Sequence, residues 1–211
     1  MTTRSTFLGA ALALAAIDAD AVAASAAGGA GNGPYDFAAV AARLVLPVRH
    51  RQVFAVARTA DGAATGYMRH ALDAYEVAMG EGPGTLHVAA VFYGRGVVMG
   101  LSDKAWNTYR LADALRKRGD SVSALQSTGN PFSADMLALS KRGATFLVCD
   151  NALADWATYL TAGLGTSTGS PDDVRADLRA SLFPGALLVP AGVAALNAAQ
   201  EARFTYVQAT L

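Results

Sequence analysis

The chemistry this sequence offers is concentrated in one sulfur atom. Cys149 is the only cysteine. It closes the apolar run Ala144-Thr-Phe-Leu-Val-Cys149 and is followed by polar Asp150 and Asn151. A thiolate can attack a sulfane sulfur and hold it as a persulfide, or it can be capped reversibly. Thr145–Val148 reads as a short buried strand, and Ala152, Leu153, Trp156, Tyr159 and Leu160 recur at helical spacing. Cys149 is therefore expected at the carboxyl end of a strand, with a helix N-terminus at Asn151–Ala152. Backbone N–H groups and the helix dipole favour negative charge there, and open parallel sheets place their ligands at that edge. Asp150 works in the opposite direction, because a neighbouring carboxylate raises a thiol's pKa. The same sequence position also suits a small buried hydrophobe, and a lone cysteine in an exported protein also suits an intermolecular disulfide.

Other polar and glycine positions could assist. Tyr93 and Gly94 follow an apolar strand and should share a sheet edge with Cys149. Asn130 and Phe132, from the Asn130-Pro-Phe132 loop, could line the same shallow pocket, as could Trp106 and Asn107. Gly192, at the start of a later helix, suits close packing better than an anion cradle. Asn151 and Asp150, beside the sulfur, complete the candidate binding set. The turn Gly94-Arg95-Gly96 lacks the third glycine and the helix start of a dinucleotide fingerprint, and no Walker-type lysine is present. His50, His70 and His87 show no metal-ligand spacing, and no Ser-His-Asp triad or nucleophile elbow can be placed. No cofactor and no metal are expected.

Composition narrows the partners. Lys plus Arg and Asp plus Glu both number 17, for a formal net charge of zero. No basic excess points to nucleic acid or an anionic membrane surface. A single cysteine excludes an internal disulfide and a zinc site built on several thiolates. After residue 17 no stretch is long and apolar enough to span a bilayer.

The elements that would position these residues follow in order. Residues 1–26 read as an export signal: Arg4, an uncharged apolar Phe7–Ile17, then small-x-small cleavage candidates at Ala21-Val-Ala23 and Ala24-Ser-Ala26. Thr3-Arg4-Ser5-Thr6-Phe7-Leu8 is a degenerate twin-arginine motif, with Ser5 where a second arginine belongs. The expected destination is the periplasm or beyond, with no membrane contact other than the signal. Residues 27–50 form a Gly-rich linker and an N-terminal extension with a short helix over Tyr35–Val45. Residues 51–211 form one α/β domain. Its expected strands are Gln52–Ala57, Leu86–Tyr93, Thr145–Val148, Gly185–Val189 and an edge strand Phe204–Val207. Between them the pattern predicts helices over Gly66–Met79, from Ser102 or Asp103 to Arg118, over Ala134–Arg142, after Cys149, from Asp172 to Leu182, and over Val193–Ala202. Strands alternating with helices predict a mainly parallel sheet covered on both faces.

Two segments together resemble the DsrE/DsrF-like family. The first is Gly143-Ala-Thr-Phe-Leu-Val-Cys149-Asp-Asn151-Ala-Leu. The second is Phe183-Pro-Gly-Ala-Leu-Leu-Val-Pro190-Ala-Gly192-Val-Ala-Ala-Leu-Asn-Ala-Ala-Gln200-Glu201. Leu101-Ser-Asp-Lys-Ala-Trp106-Asn-Thr-Tyr109 and Asn130-Pro-Phe132 look like an exported branch of that family. The likeness runs from about Gln52 to Val207. It implies a three-layer α/β/α sandwich of the YchN-like type and a homo-oligomer, trimeric or hexameric. It also implies a role for Cys149 as a persulfide carrier that meets a sulfur donor or acceptor protein. In two respects the chain departs from the pattern. Arg203 stands where the family has glycine, and no second cysteine can resolve a persulfide within the chain. The rival readings are a non-catalytic binding or assembly protein with a structural cysteine, and a small-molecule enzyme built around Tyr93 and Asn130.

Overall fold

The computed structural model describes residues 33–120, 123, 129–163 and 169–210. The expected export signal, Met1–Ala26, and linker residues 27–32 lie outside them. Helix α1 is Phe37–Leu44, capped by the Asp36 carboxylate, which accepts from the Ala39 amide at 2.8 Å. Strand β1 is His50–Val56, helix α2 is Ala63–Asp73, and strand β2 is Leu86–Phe92. Helices α3 (Asp103–Thr108), α4 (Leu111–Lys117) and α5 (Ser133–Lys141) precede strand β3, Thr145–Cys149. Helices α6 (Asp150–Thr158) and α7 (Pro171–Ala180) lead to strand β4, Leu187–Val189. Helix α8 (Gly192–Glu201) and edge strand β5 (Thr205–Gln208) complete the order.

The strands form one 5-stranded sheet in the order β4-β3-β2-β1-β5, with every pairing parallel. Side chains of a strand alternate between faces, so neighbouring residues here serve different layers. Phe54, Val56, Ala90, Phe92, Phe146 and Val148 pack with Met68 and Leu72 of α2, Leu115 of α4, Met136 of α5, Trp156 of α6 and Leu178 of α7. Val53, Ala55, Ala89, Val91, Leu147 and Val189 pack against Leu44 of α1 and Ala195, Leu196 and Ala199 of α8. The architecture is the expected three-layer α/β/α sandwich, with one thick helical layer and one thin one. The continuous apolar runs of β1 and β2 follow from cover on both faces.

Two expected helices take a different form. The single helix expected to Arg118 is broken at Arg110, whose φ of 49° is left-handed, giving α3 and α4. Its apolar residues explain the break. Tyr109 and Leu111 are two apart, which a continuous helix would point in nearly opposite directions. Resetting the phase at Arg110 lets Trp106, Tyr109, Leu111 and Leu115 all be buried. The helix expected over Gly66–Met79 begins earlier, at Ala63, and widens into a π-helical turn over Ala74–Ala78.

At the amino edge of the sheet, His87 is buried, 3.2 Å from the Thr145 hydroxyl and edge-on to Phe204. Burial, reinforced by the charges of Arg43 and Arg51, lowers its pKa from 6.5 to about 4. The native state thus resists protonation that the unfolded chain accepts. The stability this confers is complete above pH 6.5 and is lost as pH falls from there through 4. The expected loss is about 3 kcal/mol. Denaturant unfolding of His87→Gln across that window should lack this decline.

Candidate functional site

The sheet order places the site. After β1, β2 and β3 the chain leaves into the thick layer; after β4 it leaves through α8 into the thin layer. Strands β3 and β4 are neighbours, with Cys149 opposite Val189. Their outgoing helices diverge to opposite faces, so a topological switch point lies between their carboxyl ends, where open α/β sheets form ligand crevices. Cys149 stands on one side of it and Pro190-Ala191-Gly192 on the other. The Asn151 amide donates to the Pro190 carbonyl at 3.2 Å, tying the two turns together.

Cys149 ends β3 and is itself the N-cap residue of α6, which starts at Asp150 and not at the expected Asn151–Ala152. Its side chain is nearly buried, 5% exposed. Tyr93 directly follows β2, whose Phe92 is level with Val148, so Tyr93 stands beside Cys149 on the same edge as expected. Gly192 joins them. A Cβ added there would lie 2.7 Å from the Tyr93 Cβ and 3.3 Å from the Cys149 Cβ. Glycine at this position is what lets α8 approach both. Burial, followed by the proximity of Tyr206, raises the Tyr93 hydroxyl pKa, so it remains a proton donor. Val193, the next residue of α8, is 68% exposed.

Asn151 and Asn130 fall outside this trio. The Asn151 side chain is exposed on the first turn of α6. Asn130 is buried, and its amide serves the backbone. It donates to the carbonyls of Met99 and Leu101 at 2.8 and 2.7 Å and accepts from the Phe132 amide at 3.0 Å. It clamps the Gly94–Gly100 run of 3₁₀ turns to the start of α5. Phe132 packs edge-on against Trp106, whose indole N–H donates to the Val98 carbonyl.

Asp150 is where sequence reasoning and structure differ most. It was expected to act as a negative charge beside the sulfur. Instead it is completely buried and enclosed by donors from three other places in the chain. Arg179 donates Nε to Oδ1 at 2.7 Å and Nη2 to Oδ2 at 2.6 Å. Arg175 donates the same pair of nitrogens at 3.3 and 2.7 Å. The Tyr35 hydroxyl donates to Oδ2 at 2.6 Å. Burial by itself would raise the Asp150 pKa, but the bonds from Arg179, Arg175 and Tyr35 outweigh it and hold it at about 2. Two guanidinium cations share one carboxylate, so the cluster next to Cys149 has one positive charge in excess.

The helix that supplies the arginines is well determined by sequence. Ser170 and Asp173 form a reciprocal capping box and Pro171 occupies the first turn. Val174 and Leu178 are buried, and Arg175 and Arg179 flank them one residue on, four apart and therefore on one face. The repeat of an apolar residue followed by arginine was the available signal for this pair. Tyr35 gave none, because it lies 115 positions from Asp150 in sequence.

A second anchor lies at the same edge. The Trp156 indole N–H donates to the Gly94 carbonyl at 3.1 Å, fixing the turn after Tyr93 to α6. The Arg118 guanidinium lies over both Trp156 and Tyr159, at 4.7 and 4.6 Å from the ring centroids. Among the described residues no group of His, Cys, Asp and Glu could hold a metal ion, and no helix is long and apolar enough to cross a membrane.

Fold and edge together define a three-layer α/β protein with its candidate site at a strand switch point. No family model and no curated protein matches the chain. It is similar to a solved structure, the protein of unknown function MTH1491 from Methanobacterium thermoautotrophicum. The TM-score is 0.43 and the identity 16%, over 75% of this chain and 98% of that one.

Proposed function

We propose that this is an exported, DsrE-like sulfur carrier acting through Cys149 as a homo-oligomer. The observation that supports the reading is the place of the sulfur, at the switch point between β3 and β4, where the N-termini of α6 and α8 diverge. The Cys149 thiolate attacks the outer sulfur of a donor persulfide. A new S–S bond forms at Cys149, the donor's S–S bond breaks, and the donor leaves as its own thiolate. No hydrogen bond to the sulfur is present among the described residues, which suits a carrier that hands sulfur to a partner protein better than an enzyme of high turnover.

Intact-mass measurement after incubation with a small-molecule persulfide donor tests this. Wild-type protein should gain the mass of one sulfur, removable by reductant, and Cys149→Ala should gain none. An equal gain in both would sink the proposal.

The near-complete burial of Cys149 within the thick-layer core favours a second reading, a binding or assembly protein whose cysteine is structural. Alkylation of native protein separates the two. A sulfur that is labelled only after denaturation belongs to the second.

A further inference from the structure

We infer that Arg175 and Arg179, held by the buried Asp150 carboxylate, form a binding site for a small oxoanion or carboxylate. Both guanidinium groups engage Asp150 through Nε and Nη2, side-on. That geometry leaves the Nη1 group of each without a carboxylate partner, and Asp150 is the sole acidic residue paired with either among the described residues. The arginine side chains are 28% and 29% exposed, so both guanidinium groups keep solvent contact while the carboxylate has none, and Arg179 also interacts with the Tyr35 side chain. The other acids of α7 are engaged elsewhere or turned outward. Asp173 closes the capping box, Asp177 receives Lys104 and the Tyr109 hydroxyl, and Asp172 is exposed.

Arginine presents planar N–H pairs that match two oxygens of one anion. Here the buried Asp150 fixes the orientation of both guanidinium planes before any ligand arrives, which reduces the ordering cost of binding. The excess positive charge selects an anion and leaves a neutral or cationic ligand without a partner. Asp150 adjoins Cys149 in the chain, so the anion site is anchored on the same β3–α6 turn that carries the sulfur. The inference does not depend on sulfur transfer: an anion can bind whether or not Cys149 ever carries a persulfide, and the two tests fail separately.

The test is an NMR titration of the full chain with sodium sulfate and with sodium acetate, following the arginine Nε–H signals. Sodium chloride at equal ionic strength is the reference. The Arg175 and Arg179 signals should shift saturably with one of the two probes and not with chloride. Arg175→Lys keeps the charge but loses the fork, and should weaken binding by about tenfold. Because the wild-type titration decides by itself, a variant that fails to fold does not rescue the idea. Shifts that grow linearly and equally in chloride, or that saturate only at other arginines, overturn it.

Discussion

Asp150→Ala should lower the unfolding free energy by about 2 to 4 kcal/mol. Removing one partner of a buried pair commonly costs about 3–5 kcal/mol, because the remaining charge is left uncompensated. Here the arginines left behind keep some solvent contact, which offsets part of the loss. They also repel one another, and the Tyr35 hydroxyl loses its acceptor. Asp150→Asn retains the shape and one acceptor oxygen, so its loss should be smaller. The pH dependence identifies the cause. The Asp150 pKa is depressed in the folded state, from 3.8 to about 2. The stability it contributes is therefore complete above pH 3.8 and is lost as pH falls through 2. Its size is about 2 kcal/mol. Urea unfolding of wild type and Asp150→Asn over that window should converge as pH falls. Parallel profiles would show that the carboxylate is not what holds the cluster. The window lies below that of His87, so the two groups can be read in one acid series.

Trp156→Ala should be at least as damaging, at about 3–5 kcal/mol, the usual loss for truncating a buried aromatic residue. The side chain is 1% exposed and sits in the thick-layer core, so little collapse can refill its volume. Three further contacts go with it. The Gly94 carbonyl loses its donor, Tyr159 its edge-on neighbour at 5.9 Å, and Arg118 one of its two aromatic faces. Trp156→Phe separates the terms: it keeps most of the packing and drops the indole N–H bond, for a loss of about 1 kcal/mol. The midpoint of denaturant unfolding should move while its slope stays fixed. A change of slope would place the effect in the compactness of the chain. Because the Trp156 indole N–H fixes the turn after Tyr93, Trp156→Phe should also raise the native alkylation rate of Cys149, and Trp156→Ala, which removes the packing as well, should raise it further.

The sequence by itself was enough to assign strand and helix along nearly the whole described chain. The reason is local: apolar runs bounded by Gly and Pro, and capping residues such as Ser170, act within a few positions. It also placed Cys149 and Tyr93 on one sheet edge, because parallel strands joined through helices must end on the same side. Where Arg110 breaks a helix, the clue was present in the two-residue step from Tyr109 to Leu111, but only burial of all four apolar residues makes the break worthwhile.

Tertiary structure alone decided what surrounds the sulfur. The strand order put β4 beside β3 and so brought Gly192 to Tyr93 and Cys149. Folding of α7 onto α6 delivered Arg175 and Arg179 to Asp150 across 25 and 29 positions. Those contacts reverse the local electrostatics that the Cys149-Asp150 pair suggests. In sequence, Asp150 is an unshielded neighbour of the thiol. In the fold it is overcompensated, because a carboxylate can be buried completely only where cations come with it. Nearest neighbours in the chain could show the charge of Asp150, but its compensation depends on groups that only the packing of distant segments brings within reach.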